Sequence, residues 1–192
     1  ALLGENSTLL VQGDPGTGKT FLRGLIARFD REVLAGRGGG HYTIGMAFTG
    51  KAASELEGAG AGPSYTIDSF LNRELEFVER RDLIEGGQRI HIPRGANLEI
   101  AVDEASMTGL NQLAAVIEKA ARIREAARRE GLRMGVKISL TGDSKQMQAI
   151  AAGRIFQDLW EHGRGTDRTL LKDIIRQKEE WYLSITRQLN RE

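Results

Sequence analysis

The feature that most constrains the fold is the segment 8-TLLVQGDPGTGKT-20, in which an apolar run enters a glycine-rich loop that ends in Lys19 and Thr20. A helical pattern, 21-FLRGLIARF-29, follows at once. Glycines let the loop curl so that backbone N–H groups converge on phosphate oxygens, and the helix N-terminus adds a partial positive charge. A tight glycine turn in an unrelated unit is the alternative, but it does not require Lys and Thr together. The segment therefore predicts a polyphosphate site on an α/β sheet.

The loop fits the pattern G-x-x-x-x-G-K-[ST], which assigns a task to each part. Lys19 is predicted to reach the β and γ phosphates of a nucleotide, and the Thr20 hydroxyl to take a place on Mg²⁺. The residues predicted to bind the nucleotide are Gly13, Pro15, Gly16, Thr17, Gly18, Lys19 and Thr20.

Strand-like and helical patterns alternate along the chain. Short runs of branched apolar residues predict strands over 8–12, 42–48, 98–103 and 135–142. Helical patterns cover 19–33, 50–57, 66–80, 108–130 and 178–190. Such alternation predicts a parallel sheet flanked by helices on both faces.

Two acids follow the strand 98-LEIAVD-103 and form a predicted catalytic pair. Ligands of parallel sheets bind beyond the carboxyl ends of the strands, where the glycine-rich loop also lies. Asp103 is predicted to hold Mg²⁺, and Glu104 to polarise an attacking water. The alternative role for Asp103 is a helix cap.

A second turn follows in 140-LTGDSKQMQAI-150, where Gln146 is placed to sense the γ phosphate and the water. An ordinary polar turn is the alternative for this segment.

One segment interrupts the alternation. In 83-LIEGGQRIHI-92 two short alternating runs flank Gly86-Gly87, a pattern typical of a two-residue β-hairpin. We expect an insertion over 82–94, and its role as a DNA-separating pin, a docking surface or an ornament stays open. Thr108 is the expected N-cap of the long helix that follows, whose arginine-rich end is expected to be a solvated face balanced by glutamates.

Composition excludes several classes of protein. The formal net charge of +1 gives no overall bias toward nucleic acid, so any DNA contact must be a local patch. The chain has no cysteine, which excludes disulfides and thiolate metal sites. No apolar run reaches membrane-spanning length, and we expect a cytoplasmic location.

Further motifs stand in a fixed order: 47-AFTGKAASEL-56, 65-YTIDSFL-71, 102-VDEASM-107, 140-LTGDSKQMQAI-150 and 173-DIIRQ-177. With the glycine-rich loop, they resemble the first RecA-like motor domain of superfamily 1 DNA helicases. The likeness is greatest to the RecD and TraI branch, which moves 5′ to 3′ on single-stranded DNA, and within it to the helicase part of conjugative relaxases.

The resemblance implies a role for each motif. ATP and Mg²⁺ would be the cofactors, Lys19, Asp103 and Glu104 the catalytic residues, and Gln146 the link between the γ phosphate and DNA. Arg176 would stabilise charge on the γ phosphate; the alternative is a surface arginine near a helix start. The residues that would contact DNA are Thr49, Gly50, Lys51, Thr66, Ser69, Met147 and Gln148. Asp68 stands where family members often have His, and an Asp repels phosphate.

The resemblance covers residues 1–192 as a single motor domain, and we expect the second RecA-like domain, which closes the ATP site in such helicases, to be absent from these residues. We therefore expect the isolated chain to bind Mg-nucleotide modestly and not to unwind DNA. A catalytically silent module that binds single-stranded DNA or a partner is the alternative. It is disfavoured because Lys19, Asp103, Glu104 and Arg176 are all retained.

Overall fold

A computed structural model describes residues 8–14, 16–31, 40–84, 87–143, 155–163 and 166–171 of the chain. Its main feature is a six-stranded sheet in the order β3-β2-β6-β7-β1-β8, and every pairing in it is parallel. The strands are β1 (Thr8–Gly13), β2 (His41–Ala47), β3 (Ser64–Thr66), β6 (Asn97–Val102), β7 (Val136–Gly142) and β8 (Thr166–Leu171). The predicted parallel α/β sheet is confirmed.

Five helices connect the strands in the described part of the chain. They are α1 (Lys19–Phe29), α2 (Gly50–Gly58), α3 (Ile67–Asn72), α4 (Leu110–Arg129) and α5 (Ile155–His162). The central strands are apolar almost throughout because helices cover them. Leu10, Ile44, Ile100 and Leu140, from four neighbouring strands, are at most 2% exposed and form the centre of the core.

The predicted helix over 66–80 is wrong beyond Asn72. Arg73 is extended, and β4 (Glu74–Val78) follows. In 74-ELEFV-78 the acids are exposed, and Leu75 and Phe77 pack on the core. That period of two belongs to a strand with one buried face, and it overrides the helical spacing we assumed.

The predicted hairpin at 83–92 is also wrong. β4 pairs in parallel with β5 (Arg89–Pro93), in the register Glu74 to Arg89, to form a separate two-stranded sheet. A two-residue turn joins only antiparallel strands. Here the connection runs through a short 3-10 helix at Arg80–Asp82. Gly87 therefore precedes the second of two parallel strands and is not part of a two-residue hairpin turn.

The long helix α4 begins one residue later than predicted, with Gly109 as its N-cap instead of Thr108. Its basic end is the solvated face that the sequence suggested. Glu125 accepts hydrogen bonds from Arg128 and Arg129, and these two guanidinium groups lower the pKa of Glu125 to about 2. The predicted helix over 178–190 lies outside the described residues.

Asp30, at the end of α1, offers a test of stability against pH. It is 5% exposed, and its Oδ1 has no hydrogen-bond partner within the described ranges. Burial raises its pKa above the ordinary value. A carboxyl group whose pKa is higher in the folded than in the unfolded protein binds its proton more tightly in the folded state. The free energy of unfolding of the wild type therefore falls as pH rises from the unfolded-state pKa to the folded-state pKa of Asp30.

We expect Asp30→Asn, which carries no charge, to be more stable than wild type at pH 7 and to lose that advantage below the ordinary carboxyl range. Urea denaturation of both proteins at pH 4 and pH 7 measures the difference. An advantage for asparagine that is equal at the two pH values would contradict the assignment.

Candidate nucleotide and DNA site

The glycine-rich loop joins β1 to α1 and depends on glycine at particular positions. Gly16 and Gly18 have φ of 83° and 79°, in the left-handed region that favours glycine. A Cβ on Gly13 would lie 2.5 Å from Thr17 Oγ1. Thr17 is 2% exposed, and its hydroxyl donates to the carbonyl of Asp14 at 2.8 Å, which braces the loop. The loop therefore keeps its curled shape before any phosphate binds.

Lys19 folds back over this loop. Its Nζ donates to the carbonyl oxygens of Gly13 at 2.8 Å and Asp14 at 3.1 Å. The ammonium group is therefore held by carbonyl oxygens of the loop whose N–H groups are predicted to bind phosphate. A bound phosphate would offer this group a charged acceptor, and charge-assisted hydrogen bonds are roughly twice as strong as neutral ones.

The acid pair stands at the carboxyl end of β6, as predicted. Asp103 is 8% exposed, and its Oδ2 accepts from the Thr20 hydroxyl at 2.9 Å. Its Oδ1 accepts from the backbone N–H of Glu104 at 3.0 Å. The contact between Thr20 and Asp103 joins residues 83 positions apart in sequence. The two predicted magnesium ligands are therefore brought together.

Glu104 has φ 51° and ψ 39°, and it is the one described non-glycine residue with positive φ. A left-handed backbone costs an ordinary residue about 1 kcal/mol or more, and such strain concentrates at functional sites. A 3-10 helix at Ala105–Met107 follows and leads to α4. The conformation turns Glu104 out of the strand at the sheet edge where the loop lies.

The donor set at this edge suits Mg²⁺. Within the described ranges no three His, Cys, Asp or Glu residues cluster as a complete metal site. Mg²⁺ needs few protein ligands, because it keeps several waters and takes the rest of its oxygens from phosphates. One hydroxyl and one carboxylate 2.9 Å apart, beside a phosphate cradle, fit that requirement.

Two more strand ends lie along the same edge. β2 leads into α2 at Thr49, whose hydroxyl accepts a hydrogen bond from Ala52 N at 3.2 Å. β3 leads into α3 at Thr66, whose hydroxyl accepts a hydrogen bond from Ser69 N, also at 3.2 Å. Both threonines are N-caps of helices on neighbouring strands. The structure therefore brings together the described part of the predicted DNA set, which is Thr49, Gly50, Lys51, Thr66 and Ser69.

The side chains at this edge include one exposed cation and one exposed acid. The Lys51 side chain is 89% exposed and only loosely paired, at 3.9 Å, with Glu55. Gly50 has open space where a side chain would stand. Asp68, the one acid in the motif 65–71, is exposed. It accepts a hydrogen bond at 3.3 Å from Nε2 of Gln112, a residue of α4.

Sequence reasoning missed Phe48, which is 44% exposed directly before Thr49. The available signal was an aromatic between a buried strand and the Thr-Gly-Lys turn. Tyr65, the other aromatic near this edge, is 8% exposed, and the Arg73 guanidinium lies 5.0 Å from its ring centre. Its role is in the core.

Several predicted site residues lie outside the described residues. They are Pro15 in the loop, Gln146, Met147 and Gln148 after β7, and Arg176 near the end of the chain.

A parallel sheet that carries a phosphate loop after β1 and an acid pair two strands away, after β6, defines a class. The class is the P-loop ATPase domain of RecA-like fold, built as in superfamily 1 helicase motors. The chain belongs to the AAA domain family, which matches residues 1–192.

Curated relatives place the chain near conjugation and recombination proteins. It is 32% identical over 171 residues to the conjugal transfer protein TraA of Rhizobium radiobacter, an alignment that covers 89% of this chain and 12% of TraA. It is 29% identical over 179 residues to the RecBCD enzyme subunit RecD of Mycolicibacterium smegmatis, covering 83% of this chain and 28% of RecD. The chain thus spans about an eighth of the TraA protein.

Solved structures agree on the fold. A crystal structure of Bacteroides Pif1 bound to single-stranded DNA superposes with a TM-score of 0.52 at 19% identity, covering 98% of this chain and 43% of Pif1. A Bacteroides Pif1 complex with ADP-AlF4 gives 0.51 at 18% identity, over the same 98% of this chain and 43% of Pif1. The resemblance to a RecD- and TraI-like motor domain is confirmed.

In the part of the chain that is described, no helix has the length and apolar character to cross a membrane.

Proposed function

We propose that this chain is the ATP-binding and hydrolysing motor domain of a 5′ to 3′ single-stranded-DNA translocase or helicase, within a longer conjugative relaxase-helicase. The observation that carries the proposal is the meeting of Lys19, Thr20 and Asp103 at one sheet edge, with the Thr20 hydroxyl 2.9 Å from the Asp103 carboxylate. The similarity to TraA and RecD supports the helicase and conjugation parts.

The chemistry follows from the positions of these residues. The loop N–H groups and Lys19 would bind the β and γ phosphates and neutralise charge that builds up as the terminal bond breaks. Thr20 and Asp103 would hold Mg²⁺, and the ion would supply positive charge that offsets the charge of the phosphates. Glu104, one residue beyond Asp103, would accept a proton from the attacking water.

The neighbouring edge at β2 and β3 is the proposed DNA track. The N-terminal ends of α2 and α3, with Lys51, suit phosphates of a single strand, because helix N-termini attract anions. The half-exposed ring of Phe48 is available to a base. Asp103 N donates to the carbonyl of Met46 at 2.8 Å, so β2 lies directly beside the strand that carries the acid pair. Bacteroides Pif1, which shares this fold, has been crystallised with single-stranded DNA, and this supports DNA as the ligand.

Phe48→Ala is expected to weaken oligo-dT binding about 5- to 100-fold, because stacking of a base on an aromatic ring contributes about 1–3 kcal/mol. Nucleotide affinity should be unchanged. Fluorescence anisotropy with labelled oligo-dT measures the effect. Phe29→Ala is the matched control, since Phe29 is 49% exposed on α1 and belongs to no strand end. Equal losses in the two variants would remove Phe48 from the track.

A silent module that binds DNA or a partner without turnover is the competing function. Titration of a fluorescent Mg-nucleotide, with and without oligo-dT, separates the two. Nucleotide binding whose affinity changes with DNA supports the motor, while DNA binding without nucleotide binding supports the module. We further infer that unwinding needs a second RecA-like domain, so the isolated chain should hydrolyse slowly and open no duplex.

A further inference from the structure

A buried polar network lies behind the phosphate loop, on the side of α1 that faces the sheet. Arg23 is 3% exposed, and its Nη1 donates to Glu99 Oε1 and to Ser139 Oγ, each at 2.7 Å. Its Nη2 donates to Thr141 Oγ1 at 2.7 Å. The Ser139 hydroxyl also donates to Glu99 Oε1, which closes the network. Glu99, Ser139 and Thr141 are 7%, 0% and 1% exposed.

Stability alone is a poor explanation for this network. Removing two charges from water is expensive, and well-packed apolar residues of similar volume often stabilise such a site equally well or better. Apolar packing does not fix the relative position of the packed elements as strictly as a guanidinium group does. The donors of a guanidinium have a fixed planar geometry, so their acceptors must lie at defined positions.

The network joins the elements that carry the site. Arg23 follows Thr20 by three residues on α1, and Glu99 precedes Asp103 by four on β6. The contacts Arg23–Glu99 and Thr20–Asp103 are therefore successive rungs between the same helix and strand. Ser139 and Thr141 extend the attachment to β7. Sliding of α1 along the sheet would break both rungs together.

We propose that Arg23 and Glu99 are positioning residues that fix the axial register of α1 against β6 and β7. They thereby hold the Thr20 hydroxyl at the Asp103 carboxylate, where Mg²⁺ of a bound nucleotide would be held. The inference rests on the proposed nucleotide site for its ligand, but its structural part concerns α1 alone. Neither residue touches the nucleotide in this scheme.

The test is the double variant Arg23→Met/Glu99→Met, which replaces the pair with apolar side chains of similar size. We expect its melting temperature to fall modestly, because the buried Ser139 and Thr141 hydroxyls lose the partners that Arg23 and Glu99 provide. The Mg²⁺ concentration that gives half-maximal binding of a fluorescent nucleotide should rise about 10- to 100-fold, as for other residues that orient metal ligands. Arg23→Lys, which keeps the charge and loses the fork, should give a smaller rise.

A second readout needs no nucleotide. Hydrogen exchange of the α1 amides in the free protein should be faster in the double variant than in wild type, by more than the difference in global stability accounts for. If the wild type bound no nucleotide, the proposed function would be wrong. The exchange rates would still show whether the Arg23–Glu99 pair fixes the axial position of α1 against β6 and β7. Should the double variant not fold, Ser139→Ala removes one partner and should show the same changes at smaller size.

Arg94→Met/Glu130→Met is the matched control. This pair is an exposed ion pair, 2.5 Å apart, that links the end of β5 to the end of α4. It should change neither the Mg²⁺ requirement nor exchange in α1. Wild-type Mg²⁺ dependence together with wild-type exchange in the Arg23/Glu99 double variant would overturn the proposal and leave the network a purely structural one.

Discussion

Lys19→Ala is expected to reduce Mg-nucleotide affinity by about 100-fold or more while the fold is kept. In the described part of the chain the side chain donates to the Gly13 and Asp14 carbonyls of its own loop and is not a member of the hydrophobic core, so its removal should leave the core intact. With nucleotide bound, we expect the same donors to turn to phosphate. Two charge-assisted hydrogen bonds of about 1.5–3 kcal/mol each account for a loss of this size. A titration with fluorescent Mg-nucleotide, together with a thermal melt, measures affinity and fold.

Lys51→Ala is the matched control for this variant. Lys51 is also a lysine beside a helix start at the same sheet edge, but it lies in α2, after β2, and its side chain is 89% exposed. It should lose DNA affinity and keep nucleotide affinity. If Lys19→Ala bound nucleotide as wild type does, the loop would not be a phosphate cradle. If both variants lost nucleotide equally, the effect would be one of general charge.

The phosphate loop and the acid pair were predictable because each depends on local sequence. Gly16, Gly18 and Lys19 follow a strand and precede a helix, and Asp103 ends an apolar run. The parallel topology then brings the loop and the acid pair together, since the carboxyl ends of all strands of a parallel sheet lie at one edge. The contact between Thr20 and Asp103 follows from these two local facts and the parallel sheet.

The β4–β5 sheet could not be read in the same way. The spacing of Leu71, Leu75 and Val78 satisfies a helical period, while Leu75 and Phe77 satisfy a strand period. What decides between them is non-local, namely pairing with β5 and the ion pairs that Arg89 makes with Glu74 and Glu76 across the two strands. A sequence window that ends at residue 80 contains neither partner.

The Arg23 network was hidden for a related reason. Taken alone, an arginine in a helix suggests a solvent-facing position, and Glu99 interrupts an otherwise apolar strand without explanation. Their partners lie 76 and 118 positions away, so only the assembled sheet shows why the charges are buried together. A charge inside an apolar strand was the one available signal, because uncompensated burial of a carboxylate is expensive.

Glu104→Gln is expected to abolish hydrolysis while leaving Mg-nucleotide binding within about twofold of wild type. General base catalysis contributes about 10²- to 10⁴-fold, and glutamine keeps the size of the side chain without its basic oxygen. Single-turnover hydrolysis with protein in excess, in the presence of oligo-dT, is sensitive enough for a slow isolated domain. Asp103→Asn should differ in kind, because it weakens the Mg²⁺ site and therefore lowers nucleotide affinity as well.

The backbone of Glu104 supplies a control for strain. Glycine adopts φ 51° without cost, so Glu104→Gly should melt at or above the wild-type temperature and still lose hydrolysis. Loss of activity in both variants, with a more stable fold in one of them, would assign the defect to the carboxylate and not to a disturbed turn. Wild-type hydrolysis in Glu104→Gln would remove Glu104 as the base and leave the water to be oriented by another group.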